Sequence, residues 1–171
     1  MVTIDSAAYR EMLESLQGAA PAEAVGLLAG PIPDIATVCR PLRSARSGSR
    51  GVIADPRDQY AAERWIQRSG MCVVALYHSH PDGCVHLSER DRELSMRRRE
   101  TQIVVALRDC QVVDVRAYAI VGTHVIATAL SVAAPGVRST SVARPTEAPL
   151  ATFHDGSGAR GSDQTMALPI L

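Results

Sequence analysis

The sequence predicts an α/β fold, because segments of strand character alternate with segments of helical periodicity through most of its length. The apolar runs are short and bounded by Gly, Pro or Asp-Gly turns, as buried strands are. Between them lie amphipathic stretches that begin with a capping residue, as surface helices do. We therefore expect one domain over residues 1–130 and a flexible tail over residues 131–171, where Pro, Gly, Ser, Thr and Ala dominate without a period.

The first half of the domain is expected to hold two helices. One covers Ser6–Ala19, capped by Asp5 or by Ser6 itself, and turns its apolar face to the core. Asp55 caps the other, which has a proline at its first position and Trp65 on its buried stripe. The strands expected in this half are Ala24–Ala29, Ile35–Leu42, Gly51–Ala54 and an apolar run that begins at Val73.

The second half is expected to continue with a charged helix and then with hairpins. The helix begins after Ser88 and extends to about Glu100, and Glu93 and Arg97 form an i,i+4 ion pair on it. An Asp-Cys and a Gly-Thr dipeptide supply tight turns between the strands that follow. These strands are Gln102–Leu107, Gln111–Val121 and Val125–Leu130.

Composition argues against several classes of protein. The formal net charge is zero, which gives no general attraction to nucleic acid or to a membrane surface. No run is long and apolar enough to span a bilayer, and residues 1–20 lack the apolar core of a signal peptide. The four cysteines form no C-x-x-C pair, so we expect reduced thiols in a cytoplasmic protein rather than ligands of a structural zinc.

Arginines punctuate the Ser/Gly-rich connection that follows the second predicted strand. Arg40, Arg43, Arg46 and Arg50 recur there at short intervals. We interpret this segment as a solvated loop. The alternative is a basic patch that meets an acidic protein partner.

A candidate site lies where the apolar run from Val73 ends. In a strand, residues i and i+2 point to the same face, so His78 and His80 aim two imidazoles at one point. Pro81 cannot donate to a strand ladder, and the strand is therefore expected to end at the second histidine. The two imidazoles are candidate metal ligands, although a His-x-His pair by itself is common at sites without metal.

A third candidate ligand follows in the predicted helix. Ser88 is a good N-cap, which puts Asp91 in the first helical turn, where it can face back to the histidines. Two nitrogens and one carboxylate oxygen form a three-ligand set of the kind found in catalytic zinc sites, whose fourth position stays open for water. The Ser-x-x-Asp spacing alone also occurs as a capping pattern, so the prediction rests on both halves together.

The spacing His78-Ser79-His80-Pro81, then Ser88, then Asp91 resembles the signature of the JAMM (MPN+) metallopeptidases. The upstream segment Pro21 to Gly30 fits the family phrase E-x-x-G-L-L-x-G, with Glu23 as its glutamate. The resemblance covers almost all of the predicted domain and is strongest to compact bacterial members, because no insertion separates the predicted elements. It implies a JAMM/MPN-like mixed sheet with helices on both sides, a three-layer architecture similar to that of cytidine deaminases.

The resemblance also implies a role for each of these residues. A zinc ion, Zn²⁺, would be bound by His78, His80 and Asp91. Glu23 would be a base and not a ligand, taking a proton from the attacking water and returning it to the leaving amine. The hydroxyl of Ser88 would donate to the developing oxyanion, because its proton stays free while its lone pairs cap the helix.

A protein substrate is implied in the same way. Members of the family cut amide or isopeptide bonds after the Gly-Gly tail of ubiquitin or ubiquitin-like proteins. Compact bacterial relatives act on ubiquitin-like sulfur-carrier proteins. We therefore expect hydrolysis at the C-terminus of such a carrier, while the sequence leaves the oligomeric state open.

Functions of other classes fit the sequence less well. A JAMM-like scaffold that binds a partner without catalysis is the main alternative, and the intact ligand positions argue against it. A zinc deaminase needs His-x-Glu and Pro-Cys-x-x-Cys, and the sequence has neither pattern. Thiol catalysis by Cys84 would require a histidine that binds no metal, and His86 is the nearest candidate. His86 could also be a spare metal ligand, but we expect it to be an exposed loop residue.

Overall fold

A computed structural model describes residues 1–46, 52–98 and 100–135 of the chain. These residues form an α/β fold, as the sequence predicts. The helices are α1 (Ser6–Ala19), α2 (Pro56–Arg68) and α3 (Glu89–Arg98). The strands are β1 (Val2–Asp5), β2 (Val25–Gly30), β3 (Ile35–Ala36), β4 (Val38–Leu42), β5 (Ser44–Arg46), β6 (Ile53–Ala54), β7 (Cys72–His80), β8 (Thr101–Arg108), β9 (Gln111–Val121), β10 (His124–Thr128) and β11 (Leu130–Ala133).

A six-stranded mixed sheet forms the centre of the fold, with strand order β10-β9-β8-β7-β2-β4. Strands β7 and β8 run parallel, and the other neighbours in this sheet are antiparallel. A three-stranded sheet, β11-β1-β3, and a two-stranded sheet, β5-β6, accompany it. The strand that carries the two histidines, β7, is therefore interior to the main sheet and paired on both edges.

Helices cover both faces of the main sheet. On one face, Met12 and Leu16 of α1 pack in a cluster that includes Leu28 and Ile103. On the other face, Ile66 of α2 and Leu94 of α3 belong to a second cluster with Leu27 and Leu76 of the sheet. Leu27 and Leu28 are neighbours in β2 and therefore point to opposite faces. The three-layer arrangement implied by the family resemblance is confirmed.

Capping residues begin the first two helices where the sequence predicts. A carboxylate oxygen of Asp5 accepts from the amide of Ala7 at 2.8 Å at the start of α1. The carboxylate of Asp55 accepts from the amides of Arg57 and Asp58 at 2.9 and 3.0 Å at the start of α2. Each contact satisfies amide groups that have no partner within the helix.

Two glycines of the segment before β3 are required by close packing. A Cβ atom on Gly26 would collide with the ring of Tyr77, which is the residue paired with Gly26 on the neighbouring strand β7. A Cβ atom on Gly30 would collide with the backbone carbonyl of Ile35. The glycines of the E-x-x-G-L-L-x-G phrase thus let β2 pack tightly against its neighbours.

The prediction for Trp65 is wrong. Its side chain is 41% exposed, whereas Ala62 and Ile66 are buried on the inner stripe of α2. Trp65 lies on the flank of that stripe, next to the edge strand β4, and the guanidinium of Arg40 is 4.7 Å from the centre of its ring. The tryptophan therefore packs against a surface cation instead of the core.

Long-range pairing produces the strands that the sequence does not reveal. The predicted strand Ile35–Leu42 divides into β3 and β4, which belong to different sheets. Strand β1 was not predicted, and it pairs with β11, so Ser131–Ala133 of the expected tail are in a strand.

Some of the sequence predictions concern parts of the chain outside the described residues. These parts are residues 136–171, Arg50, Gly51 and the side chains of Arg46 and Arg97. The predicted Glu93–Arg97 pair is among these predictions, because it involves the side chain of Arg97. None of the helices in the described ranges is long and apolar enough to cross a membrane.

Candidate metal centre

His78 and His80 lie at the end of β7, where the strand leaves the sheet. Their alternation in the strand points both rings to the same side, and the two Nε2 atoms are 3.1 Å apart. The side chain of His78 is almost fully buried and that of His80 is mostly so. The strand thus presents two imidazole nitrogens at the edge of the core, as the sequence predicts.

Asp91 reaches the same point from the first turn of α3. Its Oδ1 is 3.6 Å from Nε2 of His78, and its Oδ2 is 3.6 Å from Nε2 of His80. The amide of Ser88 donates to Oδ2 at 2.7 Å, and the amide of Asp91 donates to the Ser88 hydroxyl at 3.1 Å. This reciprocal pair is a capping box, which holds the carboxylate toward the histidines.

The three side chains fit a tetrahedral metal ion. Ligand atoms that bind zinc at about 2.0–2.1 Å lie ~3.3–3.4 Å apart in a tetrahedron. The two Nε2 atoms are 3.1 Å apart, and each lies 3.6 Å from a carboxylate oxygen of Asp91, Oδ1 for His78 and Oδ2 for His80. With one ligand atom from each residue, all three atoms lie within 4.8 Å of one another. Within the described ranges they are the one group of His, Cys, Asp or Glu side chains whose geometry could hold a metal ion. Two imidazoles and a carboxylate are donors that suit zinc.

A backbone carbonyl sets the orientation of His80. The Nδ1 atom of the ring lies 3.0 Å from the carbonyl oxygen of Cys84, which can only accept, so the ring nitrogen carries the proton. This leaves the lone pair of Nε2 directed at the centre. Metal-binding histidines are commonly oriented through such a bond from the other ring nitrogen.

The charges of the cluster support one another. Burial opposes ionisation of Asp91, but its contacts with His78 and His80 hold the pKa of its carboxyl far below the usual range. Burial also opposes protonation of His80, yet the hydrogen bond and charge of Asp91 leave the pKa of that imidazole above its ordinary value. The free protein is therefore arranged to hold a positive charge where the ion would bind.

Glu23 lies just before β2 and lines the same cavity as the three candidate ligands. Burial raises the pKa of its carboxyl, and the nearby charges of His80 and His78 act in the opposite direction. Its position is fixed by the next residue, because Ala24 forms two hydrogen bonds of 3.0 Å with Ser79, one to the amide and one to the hydroxyl. Ser79 itself is fully buried between the two histidines.

The cavity at this centre has a volume of about 730 Å³ and opens to solvent. All five site residues predicted from the sequence line it, and Cys84 and His86 lie there too. His86 is exposed, as expected, with its Nδ1 atom 3.1 Å from the sulfur of Cys84. The residues brought together by the fold are Glu23, His78, His80, Ser88 and Asp91.

Two contributors to the site were not found from the sequence. The motif gives Ser79 no role beyond separating the two histidines, although a polar residue whose side chain points away from both histidines inside a buried strand needs a partner. That requirement was the available signal. The carbonyl of Cys84 carries no sequence signal, because every residue has one and the loop conformation alone directs it to His80.

Comparison with solved structures defines the class of the fold. A protein of Desulfitobacterium hafniense, solved in solution, is 24% identical over 78% of this chain and 94% of its own, with a TM-score of 0.68. A JAB1/MPN domain protein from Archaeoglobus fulgidus is 23% identical over 77% of this chain and 97% of its own, with a TM-score of 0.54. A structure described as a JAMM metalloprotease-like zinc site in the proteasome and signalosome is 20% identical over 78% of this chain and 98% of its own, with a TM-score of 0.50.

The fold is therefore that of the JAB1/MPN class, and it carries a His-His-Asp cluster able to hold a metal ion. The model of a family described as prokaryotic homologues of the JAB domain matches residues 5–143. The chain belongs to that family. No curated protein sequence matches it significantly.

Proposed function

We propose that the chain is a zinc-dependent peptidase that hydrolyses the amide bond after a Gly-Gly tail, with Glu23 as its general base. The observation that carries the proposal is the placement of Glu23 in one cavity with His78, His80 and Asp91. Three ligands and a nearby half-buried carboxylate form the constellation that water-activating zinc hydrolases require. The related structure described as a metalloprotease-like zinc site supports the choice of ion and reaction.

When bound by His78, His80 and Asp91, zinc would lower the pKa of a water molecule and polarise the substrate carbonyl. A carboxylate oxygen of Glu23 accepts the proton of the attacking water and then donates it to the nitrogen of the leaving amine. The raised pKa of Glu23 suits both transfers, because a group whose pKa lies closer to the working pH can both accept and donate a proton.

Ser88 is proposed to stabilise the charge that develops on the carbonyl oxygen. Its hydroxyl oxygen accepts from the amide of Asp91, and its proton, which is hydrogen-bonded to the Asp91 carboxylate, would turn to a substrate oxygen in the cavity. A donor placed in advance of the reaction stabilises the transition state more than the ground state. Ser88 is exposed at the helix start, so a substrate can reach it.

For the substrate, we propose the C-terminus of a ubiquitin-like sulfur-carrier protein. A Gly-Gly tail has no side chains, so it can lie extended between the cavity walls and bring its carbonyl to the buried ligands. The described chain has no inserted domain beside the cavity, which suits a small carrier. All of the cysteines are free, which favours a site of action in the reducing cytoplasm.

The test is to incubate the purified zinc-loaded protein with carriers that end in Gly-Gly-X and to record product masses. Cleavage after the second glycine, abolished by Glu23→Gln, supports the proposal. A protein that binds one zinc ion per chain but cleaves none of the carriers, while still binding one of them, would instead be the non-catalytic scaffold.

A further inference from the structure

Tyr118 lies in β9, on the face of the sheet that carries the histidines. In the strand register Tyr118 pairs with Gln102, which pairs with Leu76, and directly paired residues point to the same face. Leu76 is two residues before His78 in β7, so all four side chains share that face. From this position the Tyr118 hydroxyl donates to the carbonyl of Val85 at 2.7 Å.

Val85 belongs to the loop that joins the candidate ligands His80 and Asp91. The carbonyl just before it, that of Cys84, accepts the Nδ1 proton of His80. Two consecutive carbonyls of the loop therefore bind two different strands, one through Tyr118 and one through His80. The two carbonyls lie in adjacent peptide planes that meet at the Cα atom of Val85, so a shift of this Cα atom would displace both of them.

We propose that Tyr118 is a positioning residue of the metal centre, whose hydroxyl fixes the loop at Val85 so that the Cys84 carbonyl holds His80 with Nδ1 protonated and Nε2 free to bind the ion. The inference rests on the ligand role of His80 in the proposed function. It assigns no step of the reaction to Tyr118, which is not among the residues that line the cavity. Burial raises the pKa of Tyr118, so the phenol keeps the proton that this bond requires at neutral pH.

The expected loss of zinc affinity follows from the number of hydrogen bonds that separate Tyr118 from His80. Partners that directly orient a zinc-bound histidine typically change metal affinity by 10–100-fold when they are removed. Tyr118 acts one bond further out, so we expect Tyr118→Phe to weaken zinc binding by about 5-fold. Phenylalanine keeps the ring and its packing, and the variant removes only the hydroxyl.

The experiment compares Tyr118→Phe with Tyr60→Phe, a matched control. Tyr60 lies on α2 with a half-exposed side chain, far from the loop in sequence. Zinc affinity is measured by competition with a chromophoric chelator, at a temperature where thermal unfolding shows both variants fully folded. The tautomer of His80 is read in the zinc-free protein from the NMR shifts of its imidazole nitrogens, at a pH where a titration of those shifts shows the ring to be neutral.

We expect Tyr118→Phe to lose zinc affinity and to reduce the population of the Nδ1-protonated tautomer of His80, while Tyr60→Phe changes neither. Zinc affinity equal to that of Tyr60→Phe overturns the inference. A lower melting temperature with unchanged zinc affinity also overturns it, because the bond would then only stabilise the fold. These measurements need no substrate, so a protein that behaves as expected yet cleaves no carrier contradicts the proposed function and leaves this inference standing.

Discussion

Ser79 holds the main chain of Ala24 through its backbone amide and its hydroxyl. The Ser79 amide donates to the Ala24 carbonyl at 3.0 Å, and the Ser79 hydroxyl accepts from the Ala24 amide at 3.0 Å. Since Glu23 immediately precedes Ala24, the proposed base is fixed to the residue between the two candidate ligands. A small change in this pair therefore moves the base relative to the metal centre.

Ser79→Ala is expected to lower kcat by about 10- to 100-fold, because a displacement of roughly 1 Å at a catalytic group has effects of this order. It also removes the hydroxyl partner of the partly buried amide of Ala24, at a cost of about 0.5–1.5 kcal/mol in the free energy of unfolding. Zinc affinity should stay within about twofold, because no ligand contact is lost. The measurements are steady-state kinetics, zinc competition and denaturant unfolding.

The matched control is Ser15→Ala, which removes a hydroxyl that donates to the carbonyl of Met12 in α1. It should change stability without changing kcat. Equal kcat values for Ser79→Ala and the wild-type protein would show that the Ser79–Ala24 pair does not position Glu23.

Glu23→Gln is expected to lower the rate of hydrolysis by about 10²- to 10⁴-fold, the usual contribution of a general base. The amide has nearly the shape of the carboxylate but cannot accept the proton of the attacking water. Because Glu23 is not one of the three ligands, metal analysis should still find one zinc ion per chain. Full peptidase activity in the zinc-loaded variant would eliminate Glu23 as the base.

Asp91→Asn and Asp91→Ala should separate the two roles of Asp91. Both variants lose the anionic ligand, so both should bind zinc at least about 10-fold more weakly. The Asn side-chain oxygen can still accept from the Ser88 amide and close the capping box, whereas Ala cannot. Asp91→Ala should therefore unfold about 0.5–1 kcal/mol more easily than Asp91→Asn in zinc-free denaturant titrations. Equal stabilities would contradict the capping role.

Zinc affinity should fall as the pH decreases, and the fall should begin at a higher pH than for ordinary histidine ligands. Protons compete with the ion for both imidazoles, and the pKa of His80 in the zinc-free protein lies above its ordinary value. The decline should therefore be under way above about pH 6.5, the reference value for histidine. Chelator competition at a series of pH values checks this. His86→Ala should leave the curve unchanged. A curve displaced to lower pH in that variant would show that the early fall does not arise from His80.

Gly26→Ala is expected to destabilise the fold by about 1–3 kcal/mol, as overpacking of a well-packed core does. Its methyl group would collide with the ring of Tyr77, which is buried and cannot move away freely. Gly18→Ala in α1 is the control, because nothing lies within 4 Å of the added Cβ and alanine favours the helix. Denaturant unfolding compares the two variants. If Gly26→Ala is as stable as Gly18→Ala, the glycine is not required by packing.

Local patterns explain the part of the fold and site that the sequence predicts. The bounds of α1 follow from a cap and a helical period, and the convergence of His78 and His80 follows from the period of a strand. The position of Asp91 in the first turn of α3 follows from its spacing of three residues from Ser88, which caps the helix. In each case the determining contacts lie within a few residues along the chain.

Long-range contacts explain what the sequence did not reveal. Strand β1 depends on pairing with β11, near the other end of the domain, which no local period announces. The exposure of Trp65 depends on the position of α2 over the edge of the sheet. The bond between Ser79 and Ala24 depends on the register of β2 with β7. Such pairings follow from the assembled tertiary structure.

The reciprocal bonds between Ser88 and Asp91 close the start of α3 by protein groups alone. The contacts that close the start of this helix thus involve neither imidazole. Mutational drift that removed the imidazoles could silence the proposed chemistry while the fold around α3 persisted. Loss of the metal centre and loss of the helix start are therefore separable events, and of the three candidate ligands Asp91 alone takes part in both.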